Sequence, residues 1–170
     1  MNDQGIATGQ SALIWLLLSA LVIVLDQTTK AIALATLQLH VAHPVIPGLL
    51  NWTLAFNSGA AFSFLAGSTG WQRWFFTALA VVVSLVLVLW LRRTRRGEWR
   101  VALPLALIVG GALANLVDRT RFGQVTDFIQ VYYHEWAWPT FNIADSAISV
   151  GAVLLIVFGL RGGKHAAAEG

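Results

Sequence analysis

Four long apolar stretches, separated by clumped charges, constrain this chain more than any motif in it. Ala12–Leu25 runs 14 residues without a charge, Trp74–Leu91 runs 18, Val101–Val117 runs 17, and Ile143–Leu160 carries only Asp145. A helix that crosses hydrocarbon needs about 20 mainly apolar residues, so each stretch can supply one. The chain is 57% hydrophobic and 11% charged, against about 25% charged in soluble domains. A water-soluble globule of 170 residues could not hide that much apolar surface, and a disordered chain would be polar and highly charged. The expected fold class is therefore an α-helical membrane protein in one domain over residues 1–170. Its transmembrane helices should lie at about 12–34, 72–91, 100–117 and 141–160. The first stretch is expected to be a retained helix and not a cleaved leader, because Asp3 and no Lys or Arg precede it and it outruns a leader's short apolar core.

The cations set the orientation. Of 11 Lys and Arg residues, five fall between Arg92 and Arg100, which reads as a membrane-topology signal and not as a phosphate-binding surface. Nucleic acid is excluded as a partner on that ground. Four spans place both tails on the face of this clump, which holds Arg92, Arg93, Arg95, Arg96, Arg100, Arg161 and Lys164. The opposite face holds Lys30, Arg73, Arg119 and Arg121. Both termini are expected in the cytoplasm, with outer loops at about 38–70 and 118–140. Those loops are not linkers. Val45–Phe64 mixes aromatic and β-branched residues with Pro, Gly and Asn-Ser-Gly turns, and Gln124–Trp138 is similarly rich in aromatic and β-branched residues, with Trp136 and Trp138 beside two tyrosines; these are the signals of short strands. A small β-sheet subdomain at the outer membrane surface is expected, anchored by Trp136 and Trp138. The absence of cysteine excludes disulfides, a thiol nucleophile, an iron–sulfur cluster and cysteine lipidation of this chain.

Eight acidic residues are few enough to place one by one. Asp26 falls towards the outer end of the first span, Asp118 just after the third, Asp127 in the outer loop and Asp145 in the first turn of the fourth. Four aspartates therefore converge at one boundary of the hydrocarbon, where ionisable groups are costly. Asp26 precedes Lys30 by one helical turn and Asp118 adjoins Arg119, so structural ion pairing and a site role weigh evenly for these two. Asp127 and Asp145 have no cation beside them in sequence. Two such carboxyls together should share a proton, which is what an aspartic dyad needs: one carboxylate takes a proton from water and the other acid polarises the scissile carbonyl.

Other chemistries fit less well. His40 and His43 resemble a metal pair, but Pro44 follows and no third ligand is near; an ordinary loop is the better reading. Ser58, Ser63 and Ser146 lack an adjacent base, and no Gly-x-Ser-x-Gly elbow occurs. Gly110, Gly111 and Gly159 suit close helix packing.

Five segments carry a resemblance. They are Val24–Lys30 (VLDQTTK), Asn57–Ser63 (NSGAAFS), Asn115–Arg119 (NLVDR), Val125–Phe128 (VTDF) and Phe141–Ser146 (FNIADS). In order and spacing they resemble the signature blocks of bacterial lipoprotein signal peptidase (signal peptidase II), over about residues 12–160. The resemblance implies an inner-membrane aspartic endopeptidase that removes the signal peptide of a diacylglyceryl prolipoprotein just before its lipidated cysteine. It implies Asp127 and Asp145 as the catalytic pair, with Asp26, Asn57, Asn115, Arg119 and Asn142 binding substrate or supporting the site. It implies a site open to the periplasm. Water, an acid and a base suffice for the reaction, so no metal or cofactor is expected; membrane lipid is a partner, and nothing demands more than a monomer. The tails carry no resemblance. The alternative is a small four-helix proton-coupled transporter, whose carboxylate should sit near the bilayer midplane. A non-catalytic scaffold would need neither the aspartates nor the asparagines.

Overall fold

The computed structural model describes residues 11–58 and 71–166. Of the expected tails at 1–11 and 161–170, residues 1–10 and 167–170 lie outside the described residues, as do residues 59–63 of the second sequence block. After a 3-10 turn at Ala12–Trp15 come α1 (Leu16–Thr36), β1 (Ala42–Ile46), β2 (Leu50–Asn57), α2 (Trp71–Arg93), α3 (Trp99–Phe122), β3 (Val125–Tyr133), β4 (Trp136–Ala137) and α4 (Ile143–Ala166). Four of the helices are long and apolar enough to cross a membrane, over Ala12–Thr36, Arg73–Arg93, Trp99–Phe122 and Ile143–Leu160.

Helix α3 is the centre of the bundle. In its apolar window 56% of residues are buried, against 11–22% in the other three, whose Leu17, Val82 and Ile156 face outward. In lipid no hydrophobic force draws helices together, so association relies on small residues that let backbones approach. Ala102, Ala106, Gly110, Gly111 and Ala114 provide that surface on α3. A methyl on Gly110 would meet the Ser19 carbonyl of α1 at 2.9 Å, and one on Gly111 would run into the Ala144 carbonyl of α4. The Ser19 hydroxyl donates to the Ala106 carbonyl across the first contact at 2.7 Å. Gly159, expected to pack in the same way, is exposed with open space around it. Gly151 takes that role instead, against the Pro104 carbonyl, because it lies two turns closer to the site where α3 and α4 meet.

The sheet is antiparallel, in the order β1-β2-β3-β4. It sits at the end of the bundle where α1 and α3 finish and α4 begins, opposite the arginine clump. Gly48 makes the β1–β2 turn with φ of 80°, a left-handed conformation that glycine adopts without steric cost. Helix α3 continues to Phe122 and stops at Gly123, φ 77°, whose N–H caps the Arg119 carbonyl. Asp118 is thus inside the helix and not after it, since the helix outlasts its apolar stretch by more than a turn. Asp26 likewise stands midway along α1 and not towards its outer end. The apolar face of α1 resumes beyond it at Ile32 and Leu34.

One stitch positions the site. The Phe141 carbonyl accepts from the N–H groups of Phe128 and Ile129, and its own N–H donates to the Ile129 carbonyl at 3.0 Å. This pairing ties the chain entering α4 to the buried half of β3, so Asp127 and the first turn of α4 are held side by side.

Candidate active site

Asn142 joins the two carboxyls. It is fully buried, and its Nδ2 donates to Asp127 Oδ1 at 2.7 Å. Its Oδ1 accepts from the Asp145 N–H at 2.9 Å while its own N–H donates to Asp145 Oδ2 at 3.2 Å. This reciprocal pairing is a capping box, in which Asn142 opens α4 and Asp145 closes back on it three residues later. Asn115 of α3 adds a second link, donating from Nδ2 to Asp145 Oδ1 at 2.8 Å, and its Oδ1 accepts from Asn142 Nδ2 at 3.1 Å. Asn57, two residues along β2 from the partner of Asp127, hydrogen-bonds the Asp127 carboxyl. Burial and the neighbouring charge of Asp145 push Asp127 up to about 7, against the opposing pull of Asn57, Asn142 and Lys30.

Arg119 is half-buried, with its guanidinium 5.5 Å from the centroid of the Phe76 ring. It lines a cavity of about 230 Å³ that reaches Asn115 and Asp145 between walls from α2, α3 and α4. A second cavity of about 420 Å³ reaches Asp145 from the side of Trp138, Phe141 and Ser146. Both are mostly apolar, and Asp145 lines both.

Asp26 and Asp118 are differently placed. Both are buried and both bind Lys30, whose Nζ lies 2.7 Å from Asp26 Oδ2 and 2.9 Å from Asp118 Oδ2. The pairing of Asp26 with Lys30 was legible from their spacing of four. Asp118 pairs with the same lysine and not with its neighbour Arg119, because residues adjacent in a helix point about 100° apart. Gln27, an uncharged residue that carries no signal of a site by itself, donates to Asp118 Oδ1 at 2.8 Å. His40 turns the chain before β1 with φ of 60°, and His43 pairs with Trp52 across the sheet.

Four apolar helices under a small sheet, with buried polar groups gathered where the two meet, define a helical membrane enzyme. Two solved structures described as bacterial membrane enzymes share the architecture. One has a TM-score of 0.77 and 30% identity over 91% of this chain and 93% of its own. The other has a TM-score of 0.74 and 32% identity over 85% and 90%. The family model for signal peptidase (SPase) II matches residues 18–161. Lipoprotein signal peptidase of Xanthomonas campestris pv. campestris is 56% identical over 94% of this chain and 96% of its own length. That of Xanthomonas oryzae pv. oryzae is 58% identical over 92% and 95%, and that of Xylella fastidiosa 52% over 93% and 95%. The chain belongs to the signal peptidase II family and is a protease of the membrane. The transporter alternative falls with that assignment.

Proposed function

We propose that this protein is an aspartic endopeptidase of the bacterial inner membrane that removes signal peptides from diacylglyceryl prolipoproteins, cutting just before the lipidated cysteine. The observation that carries the reading is the bridging of Asp127 and Asp145 by one buried asparagine, whose side-chain Nδ2 donates to one carboxyl and whose backbone N–H donates to the other, since it brings two carboxyls from different elements to one point. Asp145 accepts two N–H groups in the first turn of a helix, where the helix terminus favours negative charge. It acts as the base. Asp127, with its affinity for a proton raised, acts as the acid. Water between them gives a proton to Asp145 as its oxygen attacks the scissile carbonyl carbon. Asp127 donates its proton to the carbonyl oxygen, giving a neutral tetrahedral diol. Collapse of that diol breaks the C–N bond: the proton held by Asp145 passes to the leaving amine of the cysteine, and one diol hydroxyl returns its proton to the Asp127 carboxylate, which restores both groups. The new carboxyl terminus departs with the signal peptide.

The surroundings suit such a substrate. An extended chain at membrane depth must satisfy its backbone groups away from lipid, and the sheet and asparagines offer polar partners there. The apolar walls of the two cavities suit a signal segment and a lipid. The test is incubation of the purified protein with a synthetic diacylglyceryl prolipoprotein peptide, which should yield one cut before the modified cysteine; a folded protein that leaves it intact refutes the reading.

The rate should fall as pH rises through about 7, where Asp127 gives up its proton. Stability follows the same sign. Between the ordinary value of 3.8 and about 7 the folded state holds a proton that the unfolded chain has lost, so this group's contribution declines as pH rises across that window. A pH–rate profile flat from about 6 to 8, one unit on either side, would count against Asp127 as the acid.

Both termini are assigned to the cytoplasm and the sheet to the periplasm, on the excess of arginine at the other end of the bundle. Since the chain has no cysteine, single Gly97→Cys and Trp136→Cys variants give a clean readout. An impermeant thiol reagent applied from the periplasm should label only the second; labelling of the first alone would invert the assignment.

A further inference from the structure

We propose that Asp26, Lys30 and Asp118 form a positioning triad that fixes the separation of the two reacting carboxyls by holding the backbone N–H immediately before each of them. The proposal rests on the reading of Asp127 and Asp145 as the reacting pair. Asp118 Oδ2 accepts from the N–H of Thr126 at 3.0 Å, and Thr126 precedes Asp127. Asp26 Oδ1 accepts from the N–H of Ala144 at 2.9 Å, and Ala144 precedes Asp145. Lys30 binds the other face of this arrangement, within 3.0 Å of Asp26, Asp118 and Asn115 Oδ1. An ammonium has three hydrogens to donate, and all three are used.

The third contact carries a separate instruction. An amide side chain can be turned by half a revolution with little change in shape, and Lys30 removes that freedom from Asn115. With Oδ1 held by the ammonium, Nδ2 must face Asp145. One buried cation thereby sets two backbone segments and one amide rotamer. The members come from α1 and α3, which cross through Gly110 and Ser19, whereas the reacting pair comes from β3 and α4. The triad is the part that registers these two pairs of elements against each other. Ion pairs buried in this way give little net stability over apolar packing, and their better-attested use is in fixing one arrangement.

The hydrogen bonds predict an unequal response to isosteric change. Asp118→Asn can keep its oxygen towards both Lys30 and Thr126, losing only the bond to Gln27. Asp26→Asn cannot satisfy both sides, because Lys30 and the Ala144 N–H approach different oxygens. With the oxygen turned to Lys30, an NH2 group faces Ala144. Each variant leaves Lys30 one carboxylate partner, so neither strands a buried charge.

The experiment measures kcat, KM and the upper limb of the pH–rate profile per folded molecule for Asp26→Asn, Asp118→Asn and Asp118→Ala. Misplacement of reacting groups by an ångström can cost about 100-fold. Asp26→Asn and Asp118→Ala should therefore lose about tenfold or more in kcat, with KM within about twofold, and the pH limb should move. Asp118→Asn should stay within a few-fold of the parent. Parental kcat and an unmoved limb in folded Asp26→Asn would overturn the proposal, as would equal losses in Asp118→Asn and Asp118→Ala, which differ in the retained oxygen and not in charge. If Asp118→Ala does not fold, Asp26→Asn decides. Failure of Asp26→Asn itself to fold also overturns the proposal, since the remaining Lys30–Asp118 pair is held to be sufficient. An inactive Asp127→Asn beside a normal Asp26→Asn would sink the triad alone; an active Asp127→Asn would sink the reading beneath it.

Discussion

Asp127→Asn and Asp145→Asn should each abolish prolipoprotein cleavage in protein that remains folded and inserted. Asparagine keeps the shape of the side chain, and an oxygen turned towards Asn142 can still accept the bonds that hold Asp127 Oδ1 or Asp145 Oδ2. What it cannot do is accept a proton from water or return one to the carbonyl oxygen. Losing either function should cost at least about 4 kcal/mol of barrier, or roughly a thousandfold in rate. The fold has reason to survive. Asp127 is almost fully buried, with its proton affinity raised mainly by that burial. A neutral amide there removes a buried charge at alkaline pH instead of stranding one. Melting in detergent above pH 7 should therefore be unchanged or improved for Asp127→Asn. Turnover near the parental rate in either folded variant would remove that residue from the pair.

Lys30→Met should have the largest effect on stability. Lys30 is 2% exposed, and its ammonium neutralises Asp26 and Asp118, which are 0% and 2% exposed. Without it two carboxylates remain buried with no cation among the described residues in contact with either. Removing one partner of a buried pair costs about 3–5 kcal/mol, and here one removal strands two charges. Loss of the folded form, or a large fall in melting temperature, is the expected result by circular dichroism in detergent. The triple variant Asp26→Asn/Lys30→Met/Asp118→Asn should recover much of that loss, because it leaves no unpaired charge, yet it should not recover activity. A Lys30→Met protein that melts with the parent would show that the carboxylates are accommodated in some other way.

The two expectations divide the aspartates by what surrounds them, and the sequence went part of the way towards that division. It separated Asp127 and Asp145, with no adjacent cation, from Asp26 and Asp118, which have one nearby. It left open whether the latter two served structure or site. The hydrogen bonds show why the question had no local answer: the same carboxylates that neutralise Lys30 hold the backbone of Thr126 and Ala144. Those contacts span 8 residues in one case and 118 in the other.

The sequence by itself determined the solvent, the number of spans and the end of the bundle towards which most of the buried aspartates lie. Each of these follows from one-dimensional facts: the length of an apolar run against the thickness of hydrocarbon, and the cost of a charge inside it. The Asn142–Asp145 contact is a helix cap and not a shared helical face, because α4 begins only at Ile143. Tertiary structure alone decided which groups touch. Asp118 chose Lys30 over Arg119 because helix α1 presents the lysine to α3, and Asp26 proved to lie at mid-helix because a neutralised charge lets the apolar run continue past it. Gly151 and not Gly159 became the close contact because the crossing of α3 and α4 fixes where backbones meet. Composition and periodicity record how each segment meets lipid or water, whereas the partner of a buried polar group depends on how four segments are packed together.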